Sequence, residues 1–114
     1  LGYIPQKQMP MLYNGARAFV YCSNRESFGI PMIESMKCRV PVLASSIPAL
    51  TEVSRGAALL VNQKSVEAMA DGLARLIDDD ELRNDLVRRG IAVAQSYSWM
   101  DSARAYVKHY ESLL

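Results

Sequence analysis

The sequence predicts an α/β fold in which helices flank a parallel β-sheet. Three short, nearly continuous apolar runs indicate strands that are buried on both faces, as parallel strands usually are. These runs cover residues 18–22, 40–44 and 57–61. Helix-start signals lie between the first two runs, and helical periodicity fills the second half of the chain. We therefore expect a β-α-β unit with a helical C-terminal segment.

Prolines indicate where the first two helices and the second strand begin. A short helix over residues 9–14 carries Pro10 in its first turn, and a second helix over residues 31–37 begins with Pro31. Proline favours the first turn because its φ is already helical and its missing N–H has no intrahelical partner there. Pro41 is expected at the start of the second strand, where proline is tolerated in a sheet.

Three further helices are predicted in the second half. Ser65 is the expected N-cap of the first helix, whose apolar stripe should pack on the sheet. The aspartates at 78–80 break this helix and complement the start of the next one, which should end near Ser96. Ser98 and Asp101 resemble a capping box that opens the last helix. The predicted stripe of the first of these helices is Val66, Met69, Ala70, Leu73 and Ile77.

The last helix carries a long aromatic stripe on one face. Its members are Trp99, Ala103, Tyr106, Tyr110 and Leu113. Aromatic side chains bury large areas, so we expect this stripe to pack in the core. The alternative is that part of it docks on a neighbouring domain.

The composition indicates one globular unit. A chain of 114 residues has the size of one domain, and 13 basic against 12 acidic residues leave a formal net charge of +1. This balance argues against nucleic acid as a partner. The apolar runs are far shorter than the roughly 18 residues of a membrane span. The spacing of Cys22 and Cys38 fits no disulfide framework, so both should be buried free thiols, and a reducing, cytoplasmic setting is expected.

The most informative motif is residues 26–34, in which Gly29 and Pro31 lie between Glu26 and Glu34. These two residues prevent one element from carrying both acids, so Glu26 is predicted in a loop and Glu34 in the following helix. Both carboxylates and the unpaired N–H groups of the helix start would then face one concave spot. This arrangement suits a ligand with hydroxyls and phosphates, such as a nucleotide-sugar. Alternatively, Glu34 only complements the helix dipole and Glu26 is a solvated loop residue.

Segments along nearly the whole chain match one family. They are residues 18–23, 26–31, 34–36, 40–45 and Glu52, with 1–5, 12–16 and 98–99 in addition. They resemble the C-terminal domain of retaining glycosyltransferases of family four, which have the GT-B fold. The resemblance implies a Rossmann-like sheet. It also implies transfer of a glycosyl group from a nucleotide diphosphate sugar to a hydroxyl, with the anomeric configuration retained.

The resemblance further implies roles for individual residues. Glu26 would contact the donor sugar's hydroxyls, helped by the backbone N–H groups of Phe28 and Gly29, and would orient the sugar for catalysis rather than attack it. Glu34 would bind the ribose hydroxyls. The expected neighbours of the diphosphate are Ile30 and Pro31, and those of the base are Tyr3 and Ile4. The donor would be of UDP or GDP type, with no further cofactor and no metal ion.

Some positions depart from the family pattern. Arg39 replaces a usual glycine, and a left-handed non-glycine residue costs roughly 1–2 kcal/mol, so either the turn differs or the strain is tolerated. Residues 45–49 lack the glycine often found before Glu52, which has either a ligand or a structural role. Because Arg25 and Lys37 should face solvent, the basic pair that grips the diphosphate is expected upstream of this chain.

The leading hypothesis is a single partial domain over residues 1–114, because Leu1 and Gly2 read as the end of a strand. It would be the donor-binding half of a bacterial-type glycosyltransferase, with a sheet incomplete on its N-terminal side, and inactive without the N-terminal acceptor domain. Exposed apolar surface would cause self-association, and any peripheral membrane contact would come from the absent domain.

A second hypothesis is a non-catalytic module that binds a nucleotide-sugar or a protein. A third is a pyridoxal phosphate-dependent phosphorylase or an epimerase, but neither Lys37 nor Lys64 is placed for a Schiff base.

Overall fold

A computed structural model describes all 114 residues and contains one parallel three-stranded sheet. Its strands β1 (Phe19–Tyr21), β2 (Val42–Ser45) and β3 (Leu59–Val61) lie in the order β1-β2-β3. Neighbouring strands pair in parallel register, and all residues of the central strand β2 are buried. The predicted α/β fold with a parallel sheet and flanking helices is confirmed, although each strand is shorter than its apolar run.

The chain has six helices. They are α1 (Met9–Asn14), α2 (Ile30–Lys37), α3 (Pro48–Ser54), α4 (Val66–Asp78), α5 (Asp80–Gln95) and α6 (Trp99–Ser112). A 3-10 turn over Gln6–Gln8 precedes α1. Helix α2 begins one residue earlier than predicted, so Pro31 occupies its second position. The sequence does not predict α3, because its seven residues are too few to show a helical period.

The core lies on both faces of β2. Val42 and Ala44 point to a larger apolar cluster that α2 and α3 cover, whereas Leu43 points to a smaller cluster under α4 and α5. Successive residues of a strand face opposite sides, so one short strand supports both layers. Each fully buried aliphatic side chain contributes roughly 1.5–3 kcal/mol, and the central strand therefore anchors the fold.

The two N-caps predicted for the C-terminal helices, Ser65 and Ser98, are confirmed. Each accepts a hydrogen bond from the backbone N–H three residues further along the chain, and the structure shows that Asp79 caps α5 in the same way. The acidic run thus forms the corner between α4 and α5, as expected. The caps at Ser65 and Ser98 are local interactions, which explains why the sequence alone places them correctly.

The predicted stripe of α4 is partly wrong. Three of its members are exposed, namely Val66, Ala70 and Ile77. The buried residues of this helix are Gly72 and Leu76. A β-carbon on Gly72 would lie 2.8 Å from Cδ1 of Leu43 and 3.0 Å from Cγ1 of Val61. The glycine therefore lets α4 approach the sheet closely, and this contact sets the rotation of the helix.

The expected core packing of the α6 stripe is wrong. No residue of α6 is buried, and the exposed fractions of Trp99, Tyr106 and Leu113 are 81%, 66% and 69%. The Cα radius of gyration is 15.7 Å, against about 13 Å for a compact domain of this length, which agrees with a helix that lies outside the core. Docking of this face on another surface stays a prediction.

Two further expectations concern the backbone and the thiols. Arg39 has a φ of +60°, so the strained left-handed conformation is tolerated at this position. Cys22 and Cys38 are free, but both are only half-buried, so full burial was a wrong prediction. Both thiols lie at the ends of elements, where packing is incomplete: Cys22 follows the edge strand β1, and Cys38 follows the last turn of α2.

No helix is both long and apolar enough to cross a membrane.

Candidate functional site

The site lies where β1 ends and α2 begins. Tyr21 is the last residue of β1, and the loop over residues 22–29 leads to α2. In open α/β sheets, ligands bind outside the carboxyl ends of the strands. The structure places Glu26 in this loop and Glu34 in the second turn of α2, so the predicted placement of the two acids is confirmed.

Glu26 is held by the strand that precedes it. The hydroxyl of Tyr21 donates a hydrogen bond to Oε1 of Glu26 at 2.7 Å. Glu26 is half-buried and forms no ion pair within the chain. A carboxylate has about four lone-pair directions, and Tyr21 uses one of them. Oε2 of Glu26 therefore keeps its full capacity to accept hydrogen bonds from a ligand.

Glu34 is held in the same way by α1 and the turn before it. Its Oε2 accepts from the hydroxyl of Tyr13 at 3.1 Å, and its Oε1 accepts from Nε2 of Gln6 at 3.3 Å. The glutamate is half-buried. Each oxygen retains a lone pair, so the carboxylate can still accept from two adjacent hydroxyls.

The two tyrosines belong to one aromatic cluster. The ring of Phe19 lies 5.4 Å from that of Tyr13, edge to face, and 5.7 Å from that of Tyr21, nearly parallel. Burial, followed by the hydrogen bond to the glutamate, raises the pKa of Tyr13 to about 12. Burial and the bond to Glu26 likewise raise the pKa of Tyr21 to about 12. Both hydroxyls therefore remain protonated hydrogen-bond donors at any physiological pH.

Gly29 shapes the turn into α2. It has a φ of +90°, and a β-carbon there would lie 2.5 Å from Cδ2 of Leu50 in α3. Its carbonyl accepts from the N–H of Met32 at 3.0 Å. The backbone N–H groups of Phe28, Gly29 and Ile30 have no acceptor within the chain. Unpaired amides at a helix start favour a negatively charged ligand group.

A residue from the far end of the chain supports this loop. The ring of Tyr97 contacts that of Phe28, and its hydroxyl donates to the carbonyl of Val53 at 3.2 Å. The guanidinium of Arg55 lies 4.8 Å from the centre of the Tyr97 ring. Sequence reasoning missed this support and both glutamate–tyrosine pairs, because nothing local in the sequence links the partners.

A groove of about 550 Å³ lies between α2 and α6. Phe28, Ile30 and Glu34 line its α2 side, and Tyr97 and Trp99 contribute to the other side. Glu26 is not among the lining residues, so the groove itself brings together only part of the predicted site. The two acids are instead connected through the aromatic cluster.

The remaining predicted site residues are half-buried or exposed. Tyr3 is exposed near the N-terminus, whereas Ile4 and Pro31 are half-buried. Arg25 and Lys37 are exposed, as the sequence predicts. Glu52 is exposed in the middle of α3. No group of three or more His, Cys, Asp or Glu side chains is arranged so that it could hold a metal ion.

Comparison with known proteins identifies the family. The family described as glycosyl transferases group 1 matches residues 1–93, and the chain belongs to this family. The O-antigen chain mannosyltransferase B of Escherichia coli is 37% identical over 113 residues, which are 99% of this chain and 30% of that protein. The D-inositol 3-phosphate glycosyltransferase of Corynebacterium urealyticum is 32% identical over 111 residues, which are 96% of this chain and 26% of that protein.

A solved structure shows the same fold. The sucrose-phosphate synthase of Thermosynechococcus elongatus superimposes with a TM-score of 0.89 at 28% sequence identity, over 99% of this chain and 29% of that one. The chain thus spans about 30% of the length of these relatives or less. The resemblance inferred from the motifs is confirmed, and so is the Rossmann-like α/β fold.

Proposed function

We propose that this chain forms the donor-binding part of a retaining glycosyltransferase. The enzyme transfers a hexosyl group from a nucleotide diphosphate sugar, of UDP or GDP type, to an acceptor hydroxyl. One observation carries the proposal: two glutamates, each held by a tyrosine hydroxyl, flank a helix start whose amides are unpaired. Family membership supports the same reaction class.

The donor would lie across this junction. The free oxygen of Glu26 accepts from the sugar hydroxyls, while Glu34 accepts from the ribose. Hydrogen bonds to a charged group contribute roughly 1.5–3 kcal/mol each, so two glutamates suffice for much of the affinity. The amides of Phe28 and Gly29 assist at the sugar, and the diphosphate lies beside Ile30 and Pro31. The base contacts the backbone of Tyr3 and Ile4.

Catalysis in this proposal is electrostatic. Negative charge develops on the leaving diphosphate, and the start of α2 stabilises it together with cations. Because Arg25 and Lys37 are exposed, we place the principal basic pair, and the acceptor domain, in other parts of the full-length parent enzyme. The chain alone would then be inactive. We also place the parent enzyme in the cytoplasm, with any membrane contact made through its acceptor domain.

A thermal-shift experiment on the full-length parent tests this function. A ligand that binds only the folded state stabilises it by RT ln(1 + [L]/Kd), about 2.7 kcal/mol at a hundredfold excess over Kd. UDP-glucose, GDP-mannose, UDP and GDP are the probes, with Glu34→Gln as the comparison variant. We expect one nucleotide-sugar to raise the unfolding midpoint of the wild type and to have a much smaller effect on the variant. Stabilisation by none of them contradicts the proposal.

Release of the nucleoside diphosphate separates an enzyme from a binding module. If a nucleotide-sugar stabilises the parent enzyme, incubation with potential acceptors should liberate UDP or GDP. Stabilisation without any release, across a panel of hydroxyl acceptors, would favour the non-catalytic alternative.

A further inference from the structure

We propose that Tyr21 and Tyr13 are positioning residues for opposite ends of the donor. Tyr21 orients Glu26 towards the sugar, and Tyr13 orients Glu34 towards the nucleoside. This inference rests on the proposed function, because it assigns the two glutamates to opposite ends of one ligand. It adds to that function a pair of residues that need not touch the donor.

The hydrogen bonds have the geometry that such a role requires. The hydroxyl of Tyr21 lies 2.7 Å from Glu26, within the ordinary range for a hydroxyl donor, and that of Tyr13 lies 3.1 Å from Glu34, slightly beyond that range. Each hydroxyl engages only one carboxylate oxygen, which restrains the side chain. Oε2 of Glu26 is left without a partner, whereas Oε1 of Glu34 also accepts from Nε2 of Gln6 and keeps one lone pair for a ligand. Productive binding geometry tolerates errors of only about half an ångström, so fixing a flexible glutamate matters.

The tyrosines can fix the glutamates because they are fixed themselves. Phe19 and Tyr21 point to the same side of β1, and the ring of Tyr13 packs on Phe19. Tyr13 is only 6% exposed. The cluster packs α1 against the sheet, so both hydroxyls belong to side chains of regular elements. Their acceptors, Glu26 and Glu34, lie in the loop before α2 and in the second turn of α2.

Acid–base chemistry is not the role of these hydroxyls. Burial and the neighbouring carboxylates raise the pKa of both tyrosines, so neither gives up its proton readily. A tyrosine that only packs tolerates phenylalanine, which keeps the ring and removes the hydroxyl. A positioning tyrosine does not, and this difference makes Tyr→Phe the informative substitution at both positions.

The two variants are predicted to fail in different ways. Tyr21→Phe should lower kcat roughly tenfold and weaken nucleotide-sugar binding, yet change the Kd of the nucleoside diphosphate less than twofold. Tyr13→Phe should weaken nucleotide-sugar and nucleoside diphosphate by the same factor, roughly five- to tenfold, with a smaller change in kcat. Tyr110→Phe is the control, because this tyrosine is exposed on α6 and its hydroxyl forms no hydrogen bond within the chain.

The experiment is calorimetric titration and steady-state kinetics on the full-length parent. The probes are whichever pair the wild type binds, UDP-glucose with UDP or GDP-mannose with GDP. Within one variant, the ratio of the Kd of the nucleotide-sugar to the Kd of the nucleoside diphosphate does not depend on the folded fraction of the protein. The comparison therefore remains valid even if a variant is partly unfolded. The ratio should change in Tyr21→Phe and stay constant in Tyr13→Phe.

The outcomes separate this inference from the proposed function. If the wild type binds neither pair, the proposed function fails. If it binds a pair and both phenylalanine variants match it within twofold, the positioning role is overturned while the function stands. Equal losses for both ligands in both variants, or an effect of the same size in Tyr110→Phe, also overturn it.

Discussion

The ring of Tyr97 contacts the ring of Phe28 edge to face, with centroids 5.2 Å apart and ring planes at 87°. Tyr97 lies in the linker between α5 and α6, whereas Phe28 lies in the loop that carries Glu26. The contact joins the C-terminal helical segment to the candidate donor site. The shape of the loop therefore depends on residues about seventy positions away in the sequence.

Substitution of Tyr97 tests this support. Tyr97→Phe removes only the hydrogen bond to the carbonyl of Val53, so we expect the free energy of unfolding to fall by about 0.5–1.5 kcal/mol. Tyr97→Ala also removes the ring from Phe28 and Arg55 and should cost about 2–4 kcal/mol, since the ring is half-buried. Urea unfolding measures both values, with Tyr110→Ala as an exposed control. Equal losses in the Phe and Ala variants would contradict the role of the ring.

Gly29 should not tolerate alanine. A left-handed alanine costs about 1–2 kcal/mol, and overpacking against Leu50 adds about 1–3 kcal/mol, so Gly29→Ala should destabilise the protein by roughly 2–5 kcal/mol. Gly15→Ala is the control, because Gly15 has an ordinary helical φ of −83° and its nearest neighbour is 3.6 Å away. Thermal unfolding compares them. The prediction is wrong if both substitutions have the same effect.

Alkaline pH should weaken the fold through Tyr13 and Tyr21. Both have a pKa of about 12 in the folded state, above the ordinary value of 10, so the folded state binds these protons more tightly. Their contribution to stability is complete below pH 10 and is lost as the pH rises towards 12. Urea unfolding between pH 8 and 12 should show this decline, with a shallower slope in the Tyr13→Phe/Tyr21→Phe double variant. Identical slopes in both proteins would rule the tyrosines out as its source.

The exposed face of α6 should cause association of the 114-residue chain. Trp99 and Leu113 expose more than two-thirds of their surface, and such apolar patches favour contact with other proteins. Sedimentation equilibrium should show self-association that Trp99→Ser/Leu113→Ser reduces. Lys108→Ser, on the same exposed helix, should leave it unchanged. A wild-type chain that stays monomeric at its highest soluble concentration would contradict this expectation.

Local signals predict much of the fold. The predicted caps Ser65 and Ser98 follow from a short polar side chain that accepts from a backbone N–H three residues away. The apolar run around Val42 predicts the buried central strand, and Gly29 with Pro31 predicts the break between loop and helix. Each of these features depends on neighbours in the sequence.

The remaining features depend on packing between distant residues. The rotation of α4 follows from the contact of Gly72 with Leu43, which no periodicity reveals. The stripe of α6 has the spacing of a core helix, yet none of its residues is buried. Likewise, the sequence indicates Glu34 as a ligand residue but not Tyr13, which meets it from 21 positions away.

The turnover of Glu26→Gln in the full-length parent tests the central claim most directly. Glutamine keeps the shape of the side chain and removes the charge that would orient the donor sugar. A hydrogen bond to a charged group is worth about 1.5–3 kcal/mol, so kcat/KM should fall about ten- to a hundredfold. Glu111→Gln, exposed on α6, should retain wild-type turnover. Wild-type kcat/KM in the Glu26→Gln enzyme would contradict the assignment of this glutamate to the donor site.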